Sequence, residues 1–70
     1  MKLHYYPETD SLYIELNASK SEDSQEIADG LVIDFDADGN IIGIDIDRAS
    51  QKLDLQTLEA VNLPRMLVST

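Results

Sequence analysis

The stretch that decides the fold lies in the middle of the chain and reads Leu31-Val32-Ile33-Asp34-Phe35-Asp36-Ala37-Asp38-Gly39-Asn40-Ile41-Ile42-Gly43-Ile44-Asp45-Ile46-Asp47. It has two interpretations, a calcium-binding loop or a β-hairpin. Counted from Asp34, carboxylates stand at positions one, three and five and a glycine at position six, which is the spacing of an EF-hand loop. However, position twelve is Asp45, where an EF-hand carries a longer glutamate that binds the ion through both oxygens.

The residues on either side of this loop favour the hairpin. An EF-hand loop lies between two helices, whereas here apolar and polar residues alternate with a period of two, which is typical of β-strands. Asp38-Gly39 between two such runs is a strong hairpin signal, because both central residues of a type I′ turn need a positive φ. We therefore predict a hairpin. The alternative is a weak divalent-cation site made of Asp34, Asp36, Asp38 and Asp45.

The apolar pattern also predicts the register of the hairpin. A two-residue turn at Asp38-Gly39 places Phe35 opposite Ile42 and Ile33 opposite Ile44, with all these side chains on one face. A three-residue loop would instead place Phe35 opposite Ile41 and divide the apolar residues between the two faces. Because that slip would expose much apolar surface, we predict the two-residue turn.

The rest of the sequence predicts an α+β fold. A first hairpin spans Leu3 to Asn17, with its turn at Pro7–Asp10, and a fifth short extended piece near Ile27 is an option. Asp47 and Asp54 stand where N-caps of two short helices would be, over 48–53 and 55–61. We predict a four-stranded antiparallel β-meander of two hairpins, with one or two short C-terminal helices packed on one face. Residues 1–53 would form the sheet and the start of the helical segment, and residues 54–70 a helix and tail of the same single domain.

Composition and charge limit the function classes. The chain has 70 residues and no cysteine, so it has no disulfide to stabilise a small core, and we expect oligomerisation to help. Five basic against fourteen acidic residues give a net charge of −9, which disfavours binding to nucleic acid or an anionic membrane and favours a small basic protein partner. We see neither a signal peptide nor a long apolar run, and we expect a cytoplasmic protein.

Few residues suggest chemistry. His4 is the only histidine, and we find neither a nucleophile beside a base nor a glycine-rich phosphate loop, so we predict no enzyme activity and no cofactor. Exposed tyrosines, a glycine inside a strand and an apolar C-terminal run are better explained as contact surfaces. The interface candidates are Tyr6, Tyr13, Gly43, Met66, Leu67 and Val68.

Four blocks of sequence, in this order, carry a resemblance to a known family. They are Tyr6-Pro7-Glu8-Thr9-Asp10-Ser11-Leu12-Tyr13-Ile14, Ile27-Ala28-Asp29-Gly30-Leu31-Val32-Ile33-Asp34, Asp38-Gly39-Asn40-Ile41-Ile42-Gly43-Ile44-Asp45-Ile46 and Ala49-Ser50. Over roughly residues 4 to 53 the chain resembles the small bacterial family filed as domain of unknown function 2283. The resemblance implies a compact antiparallel sheet with a helical segment packed against it. It brings no activity or catalytic residue, and it suggests an antitoxin-type role beside a small toxin-like partner.

These observations together predict a non-catalytic interaction module. We expect it to self-associate as a dimer or a higher oligomer, with an acidic face for a basic protein partner. The alternative function is weak divalent-cation binding by the acidic hairpin over residues 34–45.

Overall fold

The computed structural model describes residues 1–64 and contains one antiparallel β-sheet and one short helix. Its elements are β1 (Lys2–Tyr6), β2 (Ser11–Glu15), β3 (Asp23–Ala28), β4 (Leu31–Phe35), β5 (Ile41–Ile46) and α1 (Ala49–Lys52). The strand order is β1-β2-β5-β4-β3, so that β1 and β3 form the two edges. No helix within residues 1–64 is long and apolar enough to cross a membrane.

The predicted four-stranded α+β meander is wrong in three respects: the sheet has five strands, β2 pairs with β5 so that the strand order does not follow the chain, and the only helix in residues 1–64 is four residues long. The additional strand is β3, which contains the optional extended piece near Ile27 and whose sequence DSQEIA is exposed throughout. Its residues have little intrinsic preference for a strand, and hydrogen bonding to β4 is what orders them. Hydrogen bonding to β4, more than the sequence of β3 itself, therefore decides that this edge strand forms.

The second predicted helix, over residues 55–61, does not form. Asp54 accepts a hydrogen bond from the Gln56 backbone N–H at 3.0 Å, as an N-cap would, but an irregular segment follows it. The first helix ends at Lys52 because Leu53 is extended, with φ −127° and ψ 154°. Helices this short are marginal without tertiary packing, and these side chains are exposed.

The central hairpin has the predicted register away from its turn, but the predicted turn and the predicted pair of Phe35 with Ile42 are wrong. Ile33 lies opposite Ile44, as expected. The two-residue turn is wrong: the Asp36 N–H donates to the Asn40 carbonyl at 2.9 Å, which leaves a three-residue loop with Gly39 at φ 83°. A positive φ of this kind suits glycine because it has no Cβ.

A β-bulge reconciles the longer loop with the predicted register. Phe35 lies opposite Ile41, and the next pair is Asp34 with Gly43, so Ile42 is the additional residue on β5. The loop shifts the pairing by one residue and the bulge shifts it back. The apolar side chains therefore keep a common face in spite of the three-residue loop.

The pairing of strands separates the sheet into an apolar face and a polar face. On the apolar face β1, β2, β4 and β5 contribute no charged side chain. Its members are Leu3, Tyr5, Leu12, Ile14, Leu31, Ile33, Phe35, Ile44 and Ile46. This is the face that the sequence predicted as the core.

The core of the described chain is nevertheless small. Leu12, Ile42 and Ala49 are its only buried hydrophobic residues, although we expected the whole apolar face to be covered by helices. Leu3 and Tyr5 remain exposed, and the other members of the apolar face are half-buried, apart from Leu12. One short helix is too small to cover a five-stranded sheet.

Asp10 attaches the helix to the sheet. Asp10 has a left-handed backbone (φ 53°), and its carboxylate accepts hydrogen bonds from the Tyr5 hydroxyl at 2.7 Å and the Ser50 hydroxyl at 2.6 Å. Its carbonyl accepts the Ala49 N–H at 2.8 Å, and its carboxylate accepts the Ser50 N–H at 3.1 Å. Asp10 thus satisfies the first N–H groups of α1 in place of the predicted cap, Asp47.

We predict that Asp10→Asn destabilises the protein and that the effect depends on pH. The hydrogen bond from the Ser50 hydroxyl, followed by that from Tyr5, lowers the pKa of Asp10. A lowered pKa in the folded state stabilises the fold above the unfolded value of about 3.9, and this contribution is lost as pH falls through the folded value. The difference in free energy of unfolding between wild type and Asp10→Asn should therefore shrink below about pH 4.

Urea denaturation at pH 7 and pH 3, at one protein concentration, measures this difference. Glu8→Ala is the control, because Glu8 lies in the same turn and is exposed. Equal effects of the two substitutions at pH 7 would contradict the role given to Asp10.

Candidate interaction surfaces

An open groove runs along the apolar face, between β1 and β2 and the chain that follows α1. Its volume is 710 Å³. Its lining is mostly apolar and includes Leu3, Tyr5, Leu12, Ile14, Leu53, Leu55 and Leu58. The groove therefore offers a continuous apolar surface to a partner.

The walls of the groove are exposed to different degrees. Leu3 on β1 is 46% exposed, and Leu53 and Leu55 on the opposite wall are 38% and 39% exposed. Leu58 is 80% exposed. Large apolar side chains that are exposed side by side typically mark an interaction site.

The polar face of the sheet carries most of the ionisable side chains of the strands. Strand pairing aligns Glu15, Gly43, Asp34 and Ser24 in one row, and Tyr13, Asp45, Val32 and Glu26 in the next row. His4 lies opposite Tyr13 at the β1 edge, with ring centroids 6.4 Å apart. The face is acidic, with one tyrosine ring near its middle.

The Tyr13 side chain on β2 lies over Gly43 on β5 and reaches β4, the strand beyond it. A Cβ at position 43 would overlap the Tyr13 hydroxyl, so the glycine makes room for the ring. The Tyr13 hydroxyl donates to Asp34 Oδ2 at 2.9 Å, and the Ser24 hydroxyl donates to Asp34 Oδ1 at 2.6 Å. This network links β2, β4 and β3 across the polar face.

The charges of the polar face shift the pKa values of its members. Partial burial, with the neighbouring charges of Asp47 and Asp34, raises the pKa of Asp45. Burial raises the pKa of Tyr13, and its hydrogen bond to Asp34 adds to the effect. The carboxylates on this face repel one another, so the face favours a positively charged neighbour.

A polar cleft of 510 Å³ lies where the turns meet α1. Its lining cation Arg48 is already paired, with Nη2 2.8 Å from Asp29 Oδ2. Nearby on α1, Lys52 Nζ donates to the Asp29 carbonyl at 3.0 Å. The hydrogen bond and charge of Arg48 lower the pKa of Asp29. These contacts join the β3–β4 turn to the helix, and the lining of the cleft stays acidic, with Glu26, Asp29 and Asp47 against Arg48.

The structure separates the interface candidates that the sequence grouped together. Tyr6 is exposed and lies opposite Ser11, so it does not pair with Tyr13. Gly43 is buried and covered by Tyr13 of the same chain, a contact that the sequence had left open to a partner. Met66, Leu67 and Val68 lie outside the described residues. The interface candidates do not include the groove walls Leu3, Leu53 and Leu55, which are exposed because α1 is too short to cover them.

The four carboxylates of the alternative cation site are not brought together. The Asp36 carboxylate accepts the N–H groups of Asp38 at 3.0 Å and Asn40 at 2.9 Å and so shapes the loop. Asp34 is engaged by Tyr13 and Ser24, and Asp45 pairs with Val32 further along the strand. Across residues 1–64 no group of three or more His, Asp or Glu side chains could hold a metal ion.

A family model described as "Protein of unknown function (DUF2283)" matches residues 2–50. The chain belongs to this family. The resemblance stated from the sequence is thus confirmed, and the match covers the five strands and the first residues of α1. Comparison with curated proteins gave no match, and neither did comparison with solved structures. The groove wall after Ser50 lies beyond the DUF2283 region.

We predict that Gly43→Ala destabilises the protein by about 1–3 kcal/mol, because the new methyl group would displace the Tyr13 ring and break its bond to Asp34. Denaturant unfolding measures the change. In a Tyr13→Ala background the same substitution should cost much less, because there is no ring to displace. An equal cost in both backgrounds would show that the Tyr13 contact is not the cause.

We predict that Asp45→Asn stabilises the protein at pH 7 by about a few tenths of a kcal/mol, because it removes a carboxylate whose charge is partly buried and is repelled by Asp47 and Asp34. A pKa raised in the folded state means that ionisation disfavours the fold, and this cost disappears as pH falls through the folded and then the unfolded value. The gain should therefore vanish near pH 3. Thermal melts at both pH values, at equal protein concentration, test this; a gain that persists at pH 3 would contradict it.

Proposed function

We propose that this chain is a small non-catalytic interaction module that self-associates through its apolar face. The observation that carries the proposal is the open groove on that face, lined by Leu3, Tyr5 and Ile14 on one side and by Leu53 and Leu55 on the other. Every strand of the sheet except β3 directs apolar side chains to this face. A face of this kind is stable in water only when something covers it.

The size of the core supports self-association. A domain of about 60 residues buries only about 60% of the surface that its unfolded chain exposes, so it has little stability to spare. Here three hydrophobic residues of the described chain are buried, and the chain has no cysteine for a disulfide. A second copy would bury the half-exposed leucines and isoleucines of both sheets, at about 25 cal/mol per Å² of apolar surface.

The distribution of charge supports the same face. Two chains with a net charge of −9 repel each other, and most strongly where their carboxylates meet. The polar face carries Glu15, Glu26, Asp34 and Asp45, whereas the apolar face carries no charge from β1, β2, β4 or β5. Contact through the apolar faces keeps the acidic faces apart and turned outward.

The outward acidic face suggests a second role, in which it binds a small basic protein. The raised pKa of Asp45 supports this role, because a positive partner would relieve the repulsion from Asp47 and Asp34. Self-association and basic-partner binding use opposite faces, so one assembly can perform both. An antitoxin-like role would be one form of the second.

The expected result of Leu3→Asp is a dissociation constant for self-association that rises more than tenfold, because the substitution places a charge on the apolar face. Tyr6→Asp is the matched control: it lies on the same strand, it is 49% exposed against 46% for Leu3, and it faces the opposite side. It should leave self-association nearly unchanged. Sedimentation equilibrium over a hundredfold range of concentration measures both constants.

A thermal melt provides an independent measurement. The midpoint of the wild type should rise with protein concentration, because association stabilises the folded chain by mass action. A wild type that is monomeric at all concentrations, with a constant midpoint, would disprove the proposal. If Tyr6→Asp dissociated the assembly and Leu3→Asp did not, the polar face would be the interface instead.

A further inference from the structure

The segment that follows the helix exposes several large apolar side chains to solvent. We name residues 54–64 the C-terminal arm; it has no regular structure. Leu58, Val61 and Leu63 are 80%, 69% and 50% exposed. Three large aliphatic side chains within six residues, all facing solvent, form a surface that needs a partner.

The C-terminal arm is weakly attached to its own chain. Within residues 1–64 its side-chain hydrogen bonding is local, from the Gln56 N–H to Asp54. Leu55 borders the groove, and Leu58 reaches it while most of its surface remains exposed. The first part of the arm, residues 54–58, therefore forms one wall of its own groove and leaves the open side of the groove uncovered.

The groove and the arm match each other chemically and in length. The groove offers 710 Å³ of mostly apolar space, and the arm offers unpaired aliphatic side chains. Eleven residues span at most about 36–40 Å when extended, and the molecule is 30 Å across in its longer dimensions. An arm is thus long enough to cross the face of a second molecule.

Because one chain carries both surfaces, the natural occupant is a second copy. In a two-fold dimer the same contact occurs twice, since each arm meets the groove of the other chain. Each partner in a standard stable interface contributes roughly 800 Å², and a molecule 30 Å across in its two longer dimensions is wide enough for a contact of that size. An unrelated partner would need an apolar segment to fill the groove and an apolar surface to cover the arm.

We propose that two copies cross their C-terminal arms: residues 54–57 of each copy stay as the wall of its own groove, and Leu58 and Val61 cover the open side of the other copy's groove. This rests on the proposed self-association and adds its mode. Asp54 and Glu59 on the arm remain at the rim of the groove, where water can solvate them. The DUF2283 match ends at Ser50, so the crossing arm lies outside the family region.

The first test removes the apolar contacts of the arm without touching the sheet. The double variant Leu58→Ser with Val61→Ser should weaken dimerisation by about ten- to a hundredfold. Both side chains are exposed, so the fold of the chain itself does not depend on them. Ile27→Ser is the control: Ile27 is 55% exposed and lies on β3, at the opposite edge from β1. It should leave the dissociation constant unchanged.

The second test detects the crossing directly and uses the absence of natural cysteines. Leu58→Cys in an untagged chain is mixed with Leu3→Cys in a tagged chain and oxidised mildly. A mixed disulfide shows that the arm of one copy reaches the groove of the other. The control mixture pairs Leu58→Cys with Ile27→Cys and should give little mixed product.

The outcomes separate this proposal from the one on which it rests. Weaker dimerisation of the double variant together with the mixed disulfide supports arm crossing. If the wild type dimerises and Leu3→Asp prevents it, while the double variant dimerises normally and no mixed disulfide forms, arm crossing is disproved and self-association through the face stands. A wild type that stays monomeric disproves both.

Discussion

The structure depends on one constraint: a β-sheet with an apolar face needs a second layer, and residues 1–64 supply very little of one. The helix α1 is four residues long, and Ala49 is its buried residue. Asp10 holds that helix to the β1–β2 turn, and Arg48 and Lys52 hold it to the β3–β4 turn. These polar contacts fix its position at one end of the sheet, and the middle of the apolar face stays open. The missing layer explains the small core, the groove and the proposed self-association alike.

Much of the sheet could be predicted from the sequence because alternation is a strong signal. The pairing of Ile33 with Ile44 and the outward direction of Asp34 and Asp45 follow from the apolar pattern alone. The turn could not be predicted so easily, because two different solutions keep the same pattern. A two-residue turn keeps it directly, and a three-residue loop keeps it only when a bulge follows. The Asp36 carboxylate, which binds two N–H groups within the loop, favours the second solution.

The remaining differences arise where tertiary contacts outweigh local preference. The strand β3 has a polar sequence and forms because β4 offers it hydrogen bonds. The helix predicted after Asp54 had suitable residues but no surface on which to pack. Gly43 suggested a close approach, and the structure identifies the approaching group as Tyr13, two strand residues away on β2. Its bond to Asp34 could not be read from the sequence, since it requires the order of three strands to be known.

The loop and the bulge of the central hairpin also limit how the length of this chain can change. The loop at Gly39 and the additional residue Ile42 each shift the pairing by one position, in opposite directions. Neither the loop residues nor Ile42 belong to a pair, so the loop could lose one residue, or β5 could lose Ile42, and every pairing of β4 with β5 would remain. A change of length between two paired residues is different, because a slip of one residue there would turn Asp34 or Asp45 toward the apolar face.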